Sequence, residues 1–367
     1  LGASAAGTLG PGARLTGLEL SFAGTDVAGL VPIVPWRVVA AARPLWLGGY
    51  TLRASARAEG EGLAFTAVAE AMDARVEATG TADRGLDTVA GRIALRHPGA
   101  PRLLQALGLD DPTPWLGEGA LTLVAETTTQ RTERGRRITL RASELGLGRM
   151  RAQLSGEIAL DAEARRAALT VEAERLPLPG LDLYSAALLP PAILPGWTAA
   201  VVLRAGEMPV GGTAVLSRVD AALDLADGAL AVTRFAATLG GGRVQGTLRL
   251  DPVNRSLVVE AAVADAVLAG PLTGLAYDLG GGRVRAEARL RAAGTSPLTL
   301  LASLAGEVRL AVTEGVMVGF DLAQVAEVLQ SPVPPEQALA ALRAALTEGA
   351  TGFDRLEARI AVNEGIA

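Results

Sequence analysis

The sequence predicts an all-β, mainly antiparallel protein: an elongated, curved and repetitive β-sheet that forms a hydrophobic groove, with a few short helices near the C-terminal end. Three observations predict this fold. Apolar and polar residues alternate with a period of two in many segments of the 367 residues, turn residues separate these segments, and strand-turn units recur. Because each recurring unit buries its apolar face mainly against its neighbours, an extended architecture is favoured over a single globule.

The strand pattern is clearest in RVRAEARLRA, residues 283–292, where every second residue is apolar and each residue between them is charged. This alternation predicts a half-buried strand with a charged outer surface. The same alternation recurs in residues 52–59, 138–142, 243–250 and 356–362. Because strand follows strand with few helices between them, parallel β-α-β winding is not expected.

Two repeats are visible along the chain. SGEIALDAEAR, residues 155–165, shares its order of glycine, strand, aspartate, turn and arginine with QGTLRLDPVNR, residues 245–255. LGGGRV occurs at 239–244 and at 279–284. Neither glycine triplet completes a phosphate-binding motif, the sequence contains no lysine, and a strand pattern follows each triplet. The triplets therefore predict tight turns or bulges between strands.

Three segments predict short helices. PRLLQAL, residues 101–107, is followed by a glycine. In TEGVMVGFDLAQVAEVL, residues 313–329, the period changes from two to helical spacing, and Asp321 with Gln324 resembles a capping box. Residues 335–347 begin with proline and end near a glycine. We expect the two C-terminal helices to close or cover one end of the sheet.

Composition excludes several functions. The net charge of −5 leaves no basic field for nucleic acid. There is no cysteine, His97 is the only histidine, and no carboxylate pair stands out, so thiolate catalysis is excluded and no catalytic constellation, metal site or cofactor is predicted. We interpret His97 as a turn residue and expect a protein that is not an enzyme.

We expect no membrane-spanning segment within this sequence. Residues 183–203 are uncharged over the length of a bilayer core, but Pro190, Pro191 and Pro195 interrupt them. A buried loop leading into a strand at 198–203 is expected instead. The first residues contain no signal peptide, and we expect the chain to be part of a longer protein.

The apolar face of the strands carries the functional prediction. Such faces either pack on each other as a sandwich core or stay open, and periodicity alone does not decide between them. This face consists of small and aliphatic side chains with few aromatics, which leaves room for slender apolar ligands such as acyl chains. The residues predicted to line a lipid groove are Val244, Leu248, Leu250, Val284, Ala286, Ala288 and Leu290.

The C-terminal half resembles the C-terminal module of the AsmA family of bacterial envelope proteins. The resemblance lies in GTSPLTLLASLAGEVRLAVTEGVMVGFDLAQVAEVL, residues 294–329, and in LTEGATGFDRLEARIAVNEG, residues 346–365. Residues 227–251 resemble the recurring hairpin of the family. The resemblance implies two regions: 1–184, a repetitive groove segment that matches only weakly, and 185–367, the AsmA-like module, truncated at its C-terminal end.

The family resemblance also implies a function. Its members are related to TamB-like and chorein-type bridge proteins, which conduct phospholipids between membranes along a curved sheet and support outer-membrane biogenesis. The implied location is the periplasm of a Gram-negative bacterium, anchored to the inner membrane by an N-terminal helix outside this sequence. The implied partners are phospholipid acyl chains, with an outer-membrane or periplasmic protein as a further candidate, and no catalytic residues carry over.

An alternative function uses the sheet edges. A structural or assembly factor would present unpaired edges to outer-membrane proteins or to partner subunits.

Overall fold

The computed structural model divides the chain into two units, which we call unit 1, Leu1–Ala173, and unit 2, Glu174–Ala367. The predicted boundary at 184/185 rested on the family resemblance and stays a prediction. The residues that the structure describes are 2–10, 14–26, 47–71, 73–99, 119–148, 150–161, 164–176, 184–189, 196–211, 214–270, 278–332 and 334–366.

Strands dominate both units. Unit 1 contains β1 (Gly2–Gly10), β2 (Arg14–Asp26), β3 (Leu47–Glu59), β4 (Gly62–Ala71), β5 (Ala74–Asp83), β6 (Thr88–His97), β7 (Leu121–Thr132), β8 (Gly135–Leu147), β9 (Met150–Asp161) and most of β10 (Arg165–Arg175). Unit 2 contains β11 (Trp197–Gly211), β12 (Ala214–Ala226), β13 (Ala229–Leu239), β14 (Gly242–Asp251), β15 (Ser256–Leu268), β16 (Asp278–Ala293), β17 (Ala305–Val318) and β18 (Ala350–Val362).

Within each unit the described strands pair with their sequence neighbours, and every such pair is antiparallel. The pattern is a meander, and short turns join strand pairs such as β3–β4 and β13–β14. The predicted fold class, all-β and antiparallel with a few short helices near the C-terminal end, is confirmed.

The two glycine triplets have different structures. Gly240 and Gly241 form the turn between β13 and β14, with φ of 51° and 81°. A Cβ on Gly240 would collide with the carbonyl oxygen of Val267, so glycine is required there. The second triplet lies inside β16, where the pairing with β17 slips twice between Leu279 and Arg283. The prediction of turns or bulges is confirmed for both copies.

The longer repeat also corresponds to repeated structure. Its first copy covers the end of β9 and the turn into β10, and its second covers the end of β14 and the turn into β15. In the first copy the carboxylate of Asp161 accepts a hydrogen bond from Arg166. In the second, Asp251 accepts bonds of 2.9 Å from the backbone and side-chain nitrogens of Asn254. In each copy an aspartate carboxylate stabilises the connection that follows its strand.

The described residues of unit 2 include three helices: α1 (Pro297–Ala302), α2 (Leu322–Gln330) and α3 (Pro335–Ala345). The last two confirm the predicted helices to within two residues. Asp321 caps α2, and its carboxylate accepts from the backbone N–H of Gln324 at 3.0 Å. The N–H of Asp321 donates to the carbonyl oxygen of Ala345 at 2.7 Å, which joins the start of α2 to the end of α3.

Helix α1 was not predicted. It carries a complete capping box between Ser296 and Thr299, with Pro297 at its first position. The predicted helix at 101–107 lies outside the described residues. The segment 183–203 was predicted to be a buried loop, and for its described part, 184–189, the predicted burial is wrong. Tyr184 and Leu188 are exposed there, because the segment runs along α1 at the outer end of the strands. The strand that follows begins at Trp197.

Candidate functional site

One face of the unit 2 strands is apolar and the other is charged, as the alternation predicted. Strand register places Leu248 opposite Val259, and Val259 opposite Leu290. One row further along, Ala288 pairs with Val308, and Val308 with Ile360. Rows of apolar side chains therefore cross β14 to β18 without a polar residue between them.

The seven predicted lining residues all lie on this apolar face. Six of them are half-buried, whereas Val284 is only 6% exposed. Their charged neighbours in sequence, such as Arg283 and Arg289, are exposed on the opposite face. The structure thus brings the seven residues together on one surface, and their contact with lipid stays a prediction.

The apolar face has a buried end, towards the connection that holds α2 and α3. Val312 is fully buried there and packs with Leu268 and Val284. A second cluster continues this layer through β11, β12 and β13: Ala205, Met208, Leu216, Val219 and Ala237. We call these eight residues the closed half of the apolar face.

The middle of the face differs. Its side chains are half-buried although strands flank them, and no other described element of unit 2 lies over them. We call this region the open strip and define it by Leu248, Leu250, Val259, Ala288, Leu290, Val308 and Ile360. At its far end, near α1, Ala292 and Val362 are buried again.

Bulges separate the two regions. Arg218, Asp265 and Glu314 adopt left-handed backbone conformations, with φ of 52°, 57° and 52°. The pairing register shifts beside the first two of them. An extra residue in a strand bends it and increases its twist, so the strands change direction where the open strip meets the closed half.

These bulges were not predicted, although the spacing of apolar residues in the sequence indicates them. Apolar residues two positions apart become three apart at Leu216 and Val219, and again at Val263 and Ala266. A three-residue spacing of this kind within a strand indicates a bulge. The extra residue of the bulge returns the apolar side chains that follow to the same face of the sheet.

One row of the open strip consists mainly of small residues. Phe235 pairs with Gly246, and Ala261 and Ala288 follow in the same row. A shallow cavity of about 450 Å³ at this level of the strands is lined mainly by residues of the charged face, such as Gln245, Thr247 and Glu260. Glycine beside an aromatic ring recurs at Gly315, where a Cβ would collide with the ring of Phe353.

The outer face carries ion pairs. Glu307 accepts hydrogen bonds from Arg309 at 2.6 Å and from Arg359 at 3.1 Å. These two bonds, the Arg309 bond most of all, lower the pKa of the Glu307 carboxyl. The pKa of Asp251 is also lowered, first by the backbone N–H of Asn254. Such exposed pairs contribute little to stability, but they keep this face hydrated.

Unit 1 has an apolar face of the same kind. Its register aligns Leu18 with Ala56, Ala56 with Phe65, and Phe65 with Gly80. Ser143 lies on this face beside a bulge, is 1% exposed, and its hydroxyl has no hydrogen-bond partner among the described residues. An unsatisfied hydroxyl destabilises this position.

Among the described residues, no group of three His, Asp or Glu side chains is placed to hold a metal ion. His97 is the last residue of β6 and is 3% exposed, and its Nδ1 accepts from the N–H of Gly99 at 3.0 Å. His97 therefore lies at the end of a strand and not in the turn predicted for it, and its ring bonds to the turn that follows. None of the helices in the described ranges is long and apolar enough to cross a membrane.

Residues 201–367 match the model of the AsmA family. The matched range contains β12 to β18 and most of β11. No curated protein and no solved structure matches the chain.

Proposed function

We propose, from the premise that residues 201–367 belong to the AsmA family, that the chain binds phospholipid acyl chains on the open strip and supports lipid movement between the bacterial membranes. The family is associated with the bacterial envelope. We place the chain in the periplasm, tethered to the inner membrane by a helix outside this sequence. It acts without catalysis, by holding acyl chains while the head groups stay in water.

The open strip is the observation that carries this proposal. Its rows of half-buried apolar side chains cross five strands, β14 to β18. At a strand spacing of about 4.8 Å, five strands span about 20 Å. The chains of one bilayer leaflet span about 15 Å, half of a hydrocarbon core. The strip is therefore long enough for one acyl chain lying across the strands.

The driving force is burial of apolar surface. Each methylene group removed from water contributes about 0.8 kcal/mol, and the half-buried leucines gain contact at the same time. The Gly246 row carries small side chains, Ala261 and Ala288, which leave space for an acyl chain beside the sheet. Movement along the strip is passive, because the apolar rows offer no specific anchoring group.

The test is photocrosslinking to phospholipid with a photoreactive residue at Ala288. We expect crosslinking to wild-type protein and its loss in Leu248→Asp/Leu290→Asp, because two carboxylates oppose an apolar ligand. The matched control is Thr247→Asp/Arg289→Asp, which adds two carboxylates to the same strands on the opposite face. Crosslinking of the first variant at wild-type yield, with the fold intact by circular dichroism, would reject the proposal.

A second candidate function is assembly of outer-membrane proteins through a sheet edge. An unpaired sheet edge accepts an added strand. Native mass spectrometry separates the candidates: co-purified lipid supports the first function and co-purified polypeptide the second.

A further inference from the structure

Four segments of unit 2 meet at the end of the strands where α1 lies. They are residues 184–189, the turn 252–255, residues 294–304 including α1, and the turn 363–366. We call this region the α1 corner. Four backbone hydrogen bonds of 2.7–3.0 Å join the segments: from Leu298 to Ser185, from Leu189 to Thr295, from Gly294 to Arg255 and from Gly365 to Leu304.

The α1 corner exposes large apolar side chains. Leu188 is 78% exposed, and Tyr184 is exposed in the same segment. Val253 and Leu298 are exposed in two other segments. Three of the four joined segments therefore contribute to this group of exposed apolar side chains. Exposed apolar groups of this kind mark surfaces that bind a partner or a membrane.

Arginines surround these apolar residues. On the outer face, register aligns Arg249 with Val258 and Val258 with Arg291, and Val258 is itself exposed. Arg255 lies in the turn next to Val253. Neither Arg255 nor Arg291 forms an ion pair within the described ranges. Asp251 is occupied by Asn254 and Arg249, and Glu364 is the other carboxylate of the corner.

The corner adjoins the open strip along β14 and β15, whereas Ala292 and Val362 are buried at this end of β16 and β18. Leu250 and Leu257 pair directly before the 252–255 turn and are both half-buried. The strip therefore reaches the turn that carries Val253 and Arg255. At the other end of the strands, the closed half fills the apolar face.

We propose that the α1 corner docks on the surface of a phospholipid bilayer that contains anionic lipids. The arginines bind lipid phosphates, because guanidinium groups match phosphate geometry, and the apolar side chains enter the boundary between head groups and acyl chains. The proposal rests on the proposed function for its choice of lipid as partner. A second copy is a poorer fit, since a two-fold contact would bring the same arginines of both copies together.

The experiment is flotation of the whole chain with vesicles of phosphatidylcholine alone, or with about one third phosphatidylglycerol. We expect flotation with the anionic vesicles and weak flotation with the neutral ones. Arg255→Gln/Arg291→Gln should lower binding to anionic vesicles about tenfold and remove the preference for them. Leu188→Ser/Leu298→Ser should lower binding to both compositions about tenfold.

Two control variants carry the same changes at the other end of unit 2. Leu329→Ser/Leu339→Ser replaces exposed leucines of α2 and α3, and Arg243→Gln/Arg283→Gln replaces exposed arginines near the closed half. Both should float as wild type does. The docking proposal is overturned if wild type does not float, if the corner variants bind normally, or if the controls lose as much binding.

Two further results are informative: the first would reject docking, and the second tests docking separately from lipid binding on the open strip. A dimer that Leu188→Ser/Leu298→Ser converts to monomer, without any effect on vesicles, would identify a second copy as the partner and reject docking. Leu248→Asp/Leu290→Asp should still float. If crosslinking at the open strip fails while flotation depends on the corner, lipid binding on the strip is rejected and docking stands. If crosslinking succeeds while flotation does not depend on the corner, docking alone is rejected.

Discussion

The closed half and the open strip belong to one apolar face, yet they are buried to different degrees. In the closed half, Val312 is fully buried and packs against Val284 and Leu268. In the open strip, Leu248 and Leu290 remain half-buried, although Leu290 lies on the same strand as Val284. The difference shows that an apolar strand face need not be covered along its whole length. The bulges at Arg218, Asp265 and Glu314 separate the packed residues from those that stay half-buried.

The largest expected effect comes from a charge in the closed half. Val312→Asp buries a carboxylate without a partner and should destabilise the chain by about 3–5 kcal/mol. Leu248→Asp, in the open strip, keeps its carboxylate near water and should cost far less. Urea denaturation followed by circular dichroism measures both. Equal losses of stability would show that the two regions do not differ.

The next effect concerns the contact between Gly315 and Phe353. Gly315→Ala places a methyl group against the ring and should destabilise by about 1–3 kcal/mol. Gly352→Ala is the matched control, because a Cβ there meets nothing within 4 Å. Thermal unfolding compares the two variants. A loss for Gly352→Ala as large as that for Gly315→Ala would contradict the packing explanation.

Substitutions in the two regions should affect lipid affinity in the opposite order to stability, with the larger loss of affinity in the open strip. Leu290→Ala removes apolar surface from the open strip and should weaken lipid binding about tenfold, the equivalent of about 1.4 kcal/mol. Val312→Ala should lower stability through a cavity and leave lipid affinity nearly unchanged. Titration with a fluorescent phospholipid measures the affinities. Equal weakening by both substitutions would place the ligand in the closed half as well.

The smallest effect is a pH dependence on the charged face. The pKa of Glu307 is lowered in the folded chain by Arg309 and Arg359, so its ionised form stabilises the fold. This contribution is present above the ordinary carboxyl pKa of about 4.3 and is lost as pH falls through the lowered value. Glu307→Gln should therefore flatten the acid limb of a stability curve slightly. An unchanged acid limb in this variant would contradict the assignment.

Much of the fold and part of the site follow from sequence. Alternation in residues 283–292 predicted β16, its charged outer face and its apolar inner face, because side chains alternate in any extended strand. The change of period at Asp321 predicted α2. Helix α1 was missed, because its six residues give too little periodicity for recognition.

By itself, the sequence determined the strands, the face on which each side chain lies and the turns at Gly240 and Asp251, since these depend on local backbone preferences. Only the tertiary structure decided which apolar residues are covered. Val284 and Leu290 are alike in the sequence pattern, but the first packs against Val312 and the second stays half-buried. Burial depends on strand register and on bulges in neighbouring strands, which bring together residues far apart in the chain.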